Sequence, residues 1–138
     1  MNIEFKRLEE SDIINMQEII ENDNQIFNIE YIKSFVKDTN NYGFIGKIDN
    51  KIVAFLYGYG LLRPDGKSMF YIHSVDVIPE QQNKGIGTKL MDYVLKYIIT
   101  EKKYYKFWVL TEEDNIRACK VYQKYANKKG QVLFSKNI

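Results

Sequence analysis

Gly85 and Gly87 stand just where an apolar run closing at Pro79 gives way to a long apolar stripe; the stretch Val75 to Leu90 reads V-D-V-I-P-E-Q-Q-N-K-G-I-G-T-K-L. Two glycines at a helix start strip the side chains from a ring of backbone N–H groups that have no acceptor within the helix. With the positive end of the helix dipole, those groups make an anion site suited to a phosphate or pyrophosphate. A Walker loop needs G-x-x-x-x-G-K-[ST], a spacing absent here. A dinucleotide fingerprint needs a third glycine where Leu90 stands. What remains is a strand, V-x-P, and then Q-x-x-G-x-G opening a helix over Gln82, Asn83, Lys84, Gly85, Ile86 and Gly87.

Other residues able to move protons or bind charge lie on either side. His73, Ser74 and Asp76 fall on one strand, so alternation puts Ser74 and Asp76 on one face and His73 on the other. A strand histidine is more often structural than basic, and Asp76 can pair locally or serve as a base. Tyr122 is either a core aromatic, one of eleven tyrosines, or a proton donor. Glu112, Glu113 and Asp114 read as a solvated turn, with Asp114 or Asn115 capping the helix that follows, or as an acidic rim attracting a polycationic acceptor. Cys119 reads as a packing residue, since a nucleophile would need a base beside it. Phe107 and Trp108 read as core.

The elements that must position these groups follow from periodicity. Ile3 and Phe5 alternate with polar neighbours as a first strand. Ser11 is read as the N-cap of a helix with Ile13, Met16, Ile19 and Ile20 on one face, and a second helix covers roughly Asn28 to Lys37. Strands follow at Tyr42 to Ile48 and Ile52 to Leu62, turned by Asp49-Asn50, and glycines 58 and 60 point to a bend or the close approach of another backbone. Arg63-Pro64-Asp65-Gly66 is a hairpin turn, and Met69 to Val77 is the fourth strand. A long helix from Gly85 to about Glu101 carries Ile86, Leu90, Val94 and Ile98 on one stripe. Tyr105 to Leu110 suits a buried central strand, Asn115 to about Tyr125 a short helix, and Gln131 to Ser135 a final strand. The order β-α-α-β-β-β-α-β-α-β predicts one domain over residues 1–138, an α/β mixed sheet with helices on its faces.

Gln82 to Gly87 resembles the acyl-CoA pyrophosphate loop of the GNAT superfamily of N-acetyltransferases. Asn115, Ala118 and Tyr122 hold the N-x-x-A-x-x-x-Y spacing of that family's last helix, and the element order is similar along essentially the whole chain. The stretches F-L-Y-G-Y-G-L-L-R-P-D-G and T-E-E-D-N look most similar to the aminoglycoside 3-N-acetyltransferase-like branch. The resemblance implies a mostly antiparallel sheet of six to seven strands flanked by about four helices, with strands 4 and 5 splayed around the cofactor. It implies acetyl-CoA as co-substrate. N–H groups from Gln82 to Thr88 would hold its pyrophosphate, with Lys84 adding positive charge. The backbone around Val75 and Val77 would pair with the pantetheine arm, and an N–H there would steady the oxyanion. Asn115 would tie the last helix to the cofactor.

Tyr122 would give a proton to the departing thiolate: a phenol near pKa 10 can protonate a thiolate whose acid lies near about 8.5, if held within hydrogen-bond reach. An acceptor ammonium, with a pKa of about 10.4, must first lose a proton. The similar branch commonly carries an acid three positions before the V-x-P valine; here that position is Ser74, which puts direct carboxylate catalysis there in doubt. Asp76, directly or through water, is the favoured substitute and His73 the other. Tyr125-Ala126-Asn127 departs from the family's Gly-Phe pair and bears on the final turn.

Composition narrows the classes. Apolar residues make up 45% and charged ones 28%, as in a globular protein. Twenty basic against eighteen acidic residues, interspersed, give no footprint for a nucleic acid. One cysteine excludes an internal disulfide framework and suits a cytoplasmic setting, no apolar run predicts a membrane span, and no metal is called for. The expected acceptor is a small, aminoglycoside-like amine. The alternatives are a protein N-terminus or lysine, and a module that senses acyl-CoA without turnover. An exposed final strand could pair two copies into a homodimer.

Overall fold

The computed structural model describes residues 2–138. Five strands form one sheet in the order β1 (Glu4–Arg7), β2 (Asn41–Ile48), β3 (Lys51–Leu61), β4 (Met69–Val77) and β5 (Lys106–Val109). Neighbours run antiparallel except β4 and β5, which are parallel. The β2–β3 turn is Asp49-Asn50, both at positive φ as a tight primed hairpin turn requires.

The helices cover both faces of the sheet. α3 (Ile86–Glu101) presents Ile86, Leu90, Met91, Val94 and Ile98 to Phe44, Leu56, Phe70 and Ile72, all buried. Burying such a stripe contributes roughly 1.5–3 kcal/mol per large side chain and fixes the start of α3 relative to the end of β4. On the opposite face lie α1 (Gln17–Asn22) and α2 (Ile29–Lys37), where Phe35 meets Tyr57 and Tyr59 edge-on at 5.8 Å. Asn28 caps α2, its side chain accepting from the N–H groups of Glu30 and Tyr31. The last helix, α4 (Ile116–Gln123), is capped by Asn115, whose Oδ1 accepts from the Ala118 N–H at 3.1 Å.

Several sequence expectations are corrected. Ser11 is not an N-cap: a 3-10 helix over Glu10–Asn15 precedes α1, and Asp12, not Ser11, closes its start by accepting from the Glu9 N–H at 3.0 Å. Asp12 is buried and also binds Lys6 and Lys47, at 3.0 and 3.1 Å. Residues Gln131 to Ser135 form no strand, and Val132, Leu133 and Phe134 are exposed, so among the described residues the sheet has five strands rather than six or seven. A short apolar segment cannot persist as a strand without a partner ladder. β5 is therefore the edge and not a buried centre; Trp108 instead stacks on Tyr71 at 4.4 Å, and Leu110 is exposed. Among the described residues no helix is long and apolar enough to cross a membrane.

Candidate active site

The ladder between β4 and β5 covers only Met69 to Ile72 against Lys106 to Val109. Beyond Ile72 the two strands part, so from Ser74 to Val77 β4 keeps β3 on one side and loses its partner on the other. The splay expected between the fourth and fifth strands is thus present, and it leaves a row of strand N–H and C=O groups facing a gap.

A β-bulge marks the same place. Tyr57 pairs with Ser74, but Gly58 pairs with Ile72, which leaves His73 as the extra residue. Gly58 makes this possible, because a Cβ there would stand 2.1 Å from the Tyr71 carbonyl oxygen. The extra residue overturns simple alternation. Ser74 and Asp76 do share a face, with the Ser74 hydroxyl donating to Asp76 Oδ2 at 2.8 Å. His73 does not face away from them: its ring packs against Tyr57, the cross-strand partner of Ser74, at 5.1 Å. Its Nδ1 lies 3.0 Å from the Tyr71 hydroxyl, and the residue is exposed.

Below the splay, Pro79–Gln81 make one 3-10 turn, Asn83 and Gly85 take left-handed φ values of 63° and 79°, and α3 begins. Gly85 holds the N-cap and supplies no capping side chain, so the N–H groups of Ile86, Gly87 and Thr88 have no intrahelical acceptor. These residues wall a cavity of about 510 Å³, within the range of small-molecule sites. Val75, Asp76 and Val77 form its second wall, and Asn115, Ala118 and Tyr122 on α4 its third.

Gln82 locks the walls together. Its Nε2 donates to the Val77 carbonyl at 2.9 Å, and its Oε1 accepts from Arg117 Nη1 at 2.7 Å. At the other end of α4, the Tyr125 hydroxyl donates to Asp92 at 2.6 Å. Tyr122 is therefore carried by a helix tied down at both ends.

Arg117 was not singled out by sequence; its signal was only its place in the first turn of the helix that Asn115 caps. Lys84, which was singled out, is exposed, bonds Gln81 at 3.3 Å and is not on the cavity wall.

Asp76 and Tyr122 share this cavity, and the carboxylate acts on the phenol. Burial raises the Asp76 carboxyl above the usual range. The Ser74 hydrogen bond and His73 pull it down, and the charge of Asp23 pushes it further up. Tyr122 is pushed up to about 12, first by burial and then by the charges of Asp76 and Cys119. It stays a proton-bearing phenol throughout the physiological range. Asp76 also lines a second cavity of about 220 Å³ beneath α1 and α2, and the two cavities share Ile19, Asp23 and Asp76. A carboxylate thus stands where two compartments meet, one rich in free N–H donors and the other apolar.

Uncapped donors at a helix start, an open strand edge and a tyrosine on the facing helix suit an acyl carrier with a pyrophosphate. A sequence model described as "Acetyltransferase (GNAT) family" matches residues 7–126. The chain belongs to that family. As a GNAT acetyltransferase it takes its acetyl group from acetyl-CoA. No curated protein matches it in sequence.

Solved structures do match. An aminoglycoside acetyltransferase, meta-AAC0020, from an uncultured soil metagenomic sample is 25% identical, with a TM-score of 0.85 over 99% of this chain and 95% of that one. Ribosomal-protein-alanine N-acetyltransferase from Brucella melitensis biovar Abortus 2308 is 18% identical, with a TM-score of 0.82 over 99% and 100%. Aminoglycoside N-acetyltransferase AAC(6')-Iy, in complex with CoA, is 12% identical, with a TM-score of 0.82 over 99% and 95%. This acetyltransferase shares their fold.

Proposed function

We propose that the protein transfers acetyl from acetyl-CoA to the primary amine of a small molecule by direct attack, with no covalent enzyme intermediate. The observation that carries this reading is Asp76, which walls both cavities at once.

N–H groups between Gln82 and Thr88 hold the pyrophosphate, Arg117 supplies positive charge at the mouth and Lys84 adds charge from outside. The β4 backbone around Val75 and Val77, which has no strand partner on the side of the gap, accepts the pantetheine arm as an added strand, and one of its N–H groups steadies the carbonyl oxygen. Asn115 keeps α4 at the right height.

Asp76, held by Ser74, takes a proton from the incoming ammonium. The nitrogen then bonds the carbonyl carbon, the C–S bond breaks, and the sulfur receives the Tyr122 proton. The ammonium gives up two protons in all; one restores Tyr122 and the other leaves through Asp76 to water. Because burial raises Asp76, it is a stronger base than an exposed aspartate.

An aminoglycoside is a second, competing acceptor within this class. Its support is the meta-AAC0020 likeness and the exposed Glu112, Glu113 and Asp114 on the loop before α4. The single cysteine fits a cytoplasmic setting. The exposed Val132, Leu133 and Phe134 favour a homodimer that covers them. The test is release of CoA from acetyl-CoA in the presence of amines, with the acetylated product weighed by mass spectrometry. Amine-dependent release is expected; release that ignores the amine would refute acetyl transfer.

A further inference from the structure

The cavity beneath α1 and α2 has a chemistry of its own. Its body is aromatic: Phe55 stacks on Tyr57 at 5.2 Å, Phe35 stands edge-on to Tyr57 at 5.8 Å, and Tyr31 stands exposed at the rim. Its ionisable acids are Asp23 and Asp76, and no lysine, arginine or histidine lines it. Among the described residues neither aspartate makes a salt bridge. Asp23 also caps the C-terminal end of α1, where the helix dipole disfavours a negative charge. Two carboxylates without a cation thus face an aromatic chamber, and an ammonium is the complement of both.

Size and polarity narrow the occupant further. At about 220 Å³ the chamber falls below the roughly 300 Å³ at which drug-sized pockets begin. A polycation would bring further ammonium and hydroxyl groups into a chamber whose only carboxylates, Asp23 and Asp76, already hold the first one, leaving the others without a hydrogen-bonding partner.

We infer that the acceptor is a compact arylalkylamine, its single ammonium set between Asp23 and Asp76 and its ring held among Phe35, Phe55 and Tyr57. This deepens the acetyl-transfer reading and rests on it. Asp23 is then the ammonium-recognising residue, and Phe35 and Tyr57 set specificity.

The test uses the full chain and separates the two claims. Acetyl-CoA affinity is measured first by calorimetry. Turnover of phenethylamine and tryptamine is then compared with kanamycin and spermidine, and phenethylamine binding in the presence of CoA is followed by ligand-observed NMR. We expect kcat/KM for the arylalkylamines to exceed that for the polycations by about 100-fold. Phe35→Ala should raise their KM about tenfold with acetyl-CoA affinity unchanged, and Asp23→Asn should raise it by a similar factor. Kanamycin or spermidine turned over as well as the arylalkylamines would overturn the inference while leaving acetyl transfer standing. So would acetyl-CoA binding with no phenethylamine bound. A protein that fails to bind acetyl-CoA would overturn the acetyl-transfer reading itself, and this inference with it.

Discussion

The cavity at the start of α3 takes most of its wall from one contiguous stretch, Val75 to Thr88, whereas its neighbour beneath α1 and α2 draws its lining from α1, α2, β3 and β4. The first offers N–H groups whose direction is fixed by a helix start and a strand edge, so it suits one invariant cofactor. The second offers aromatic rings and two carboxylates, each replaceable without disturbing the backbone. On the proposed reading the constant cofactor meets the helix start and strand edge, and the variable acceptor meets the aromatic side chains. Asp76 lies on the seam and belongs to both.

The seam itself should yield the largest effect. Asp76→Asn keeps the shape and the Ser74 contact but removes the base, so kcat/KM should fall by about 10² to 10⁴, with acetyl-CoA affinity changed less than about threefold. An equal loss in affinity would mean that Asp76 belongs to the cofactor half alone. Tyr122→Phe should lower kcat by about 10² with a similar split between turnover and binding, measured by CoA release and calorimetry.

Breaking the cofactor half calls for a different lever. The nearest atom to a Cβ at Gly87 is Val77 Cγ2 at 3.9 Å, so Gly87→Leu fits the fold, and its side chain would enter the cavity. Acetyl-CoA affinity should drop about 10- to 100-fold while the melting temperature holds or rises, since leucine favours a helix over glycine by roughly 0.5–1 kcal/mol. Unchanged affinity would place the pyrophosphate elsewhere.

The pH dependence sharpens the comparison. Asp76 must be ionised to act, and its raised pKa moves the acid limb of kcat/KM upward, above the about 3.9 of an ordinary aspartate. Tyr122, pushed up to about 12, adds no alkaline limb below that. The pH–rate profile of Asp76→Asn should lose the acid limb.

Away from the site the sign reverses. Burial opposes ionisation of Asp12, but the Glu9 N–H, Lys6 and Lys47 together hold its carboxyl below the usual range. Its folded pKa is depressed, so its contribution is present above the unfolded value and is lost as pH falls through the folded one. Asp12→Asn should cost about 2 kcal/mol at neutral pH by denaturant melts and flatten that acid dependence, with acetyl-CoA affinity untouched.

What was legible in the sequence follows the same division. Gly85, Gly87, Asn115 and Tyr122 carry local patterns because a helix start, a cap and a helix spacing are local events. The place of His73 was not legible, because a bulge depends on which residue across the ladder lacks a Cβ, here Gly58. Arg117 and Asp23 carry no local signal, because each reaches its cavity wall only through segments distant in sequence. Gln131 to Ser135 has strand chemistry but no strand, because propensity cannot supply a partner edge.

The most direct measurement is CoA release with a panel of primary amines, run side by side on the native protein and Asp76→Asn, with each product weighed. Amine-dependent release is expected, matched by one added acetyl group per CoA, with a variant that binds acetyl-CoA but scarcely turns over. Acetyl-CoA bound tightly by both proteins, with no amine acetylated by either, would contradict it.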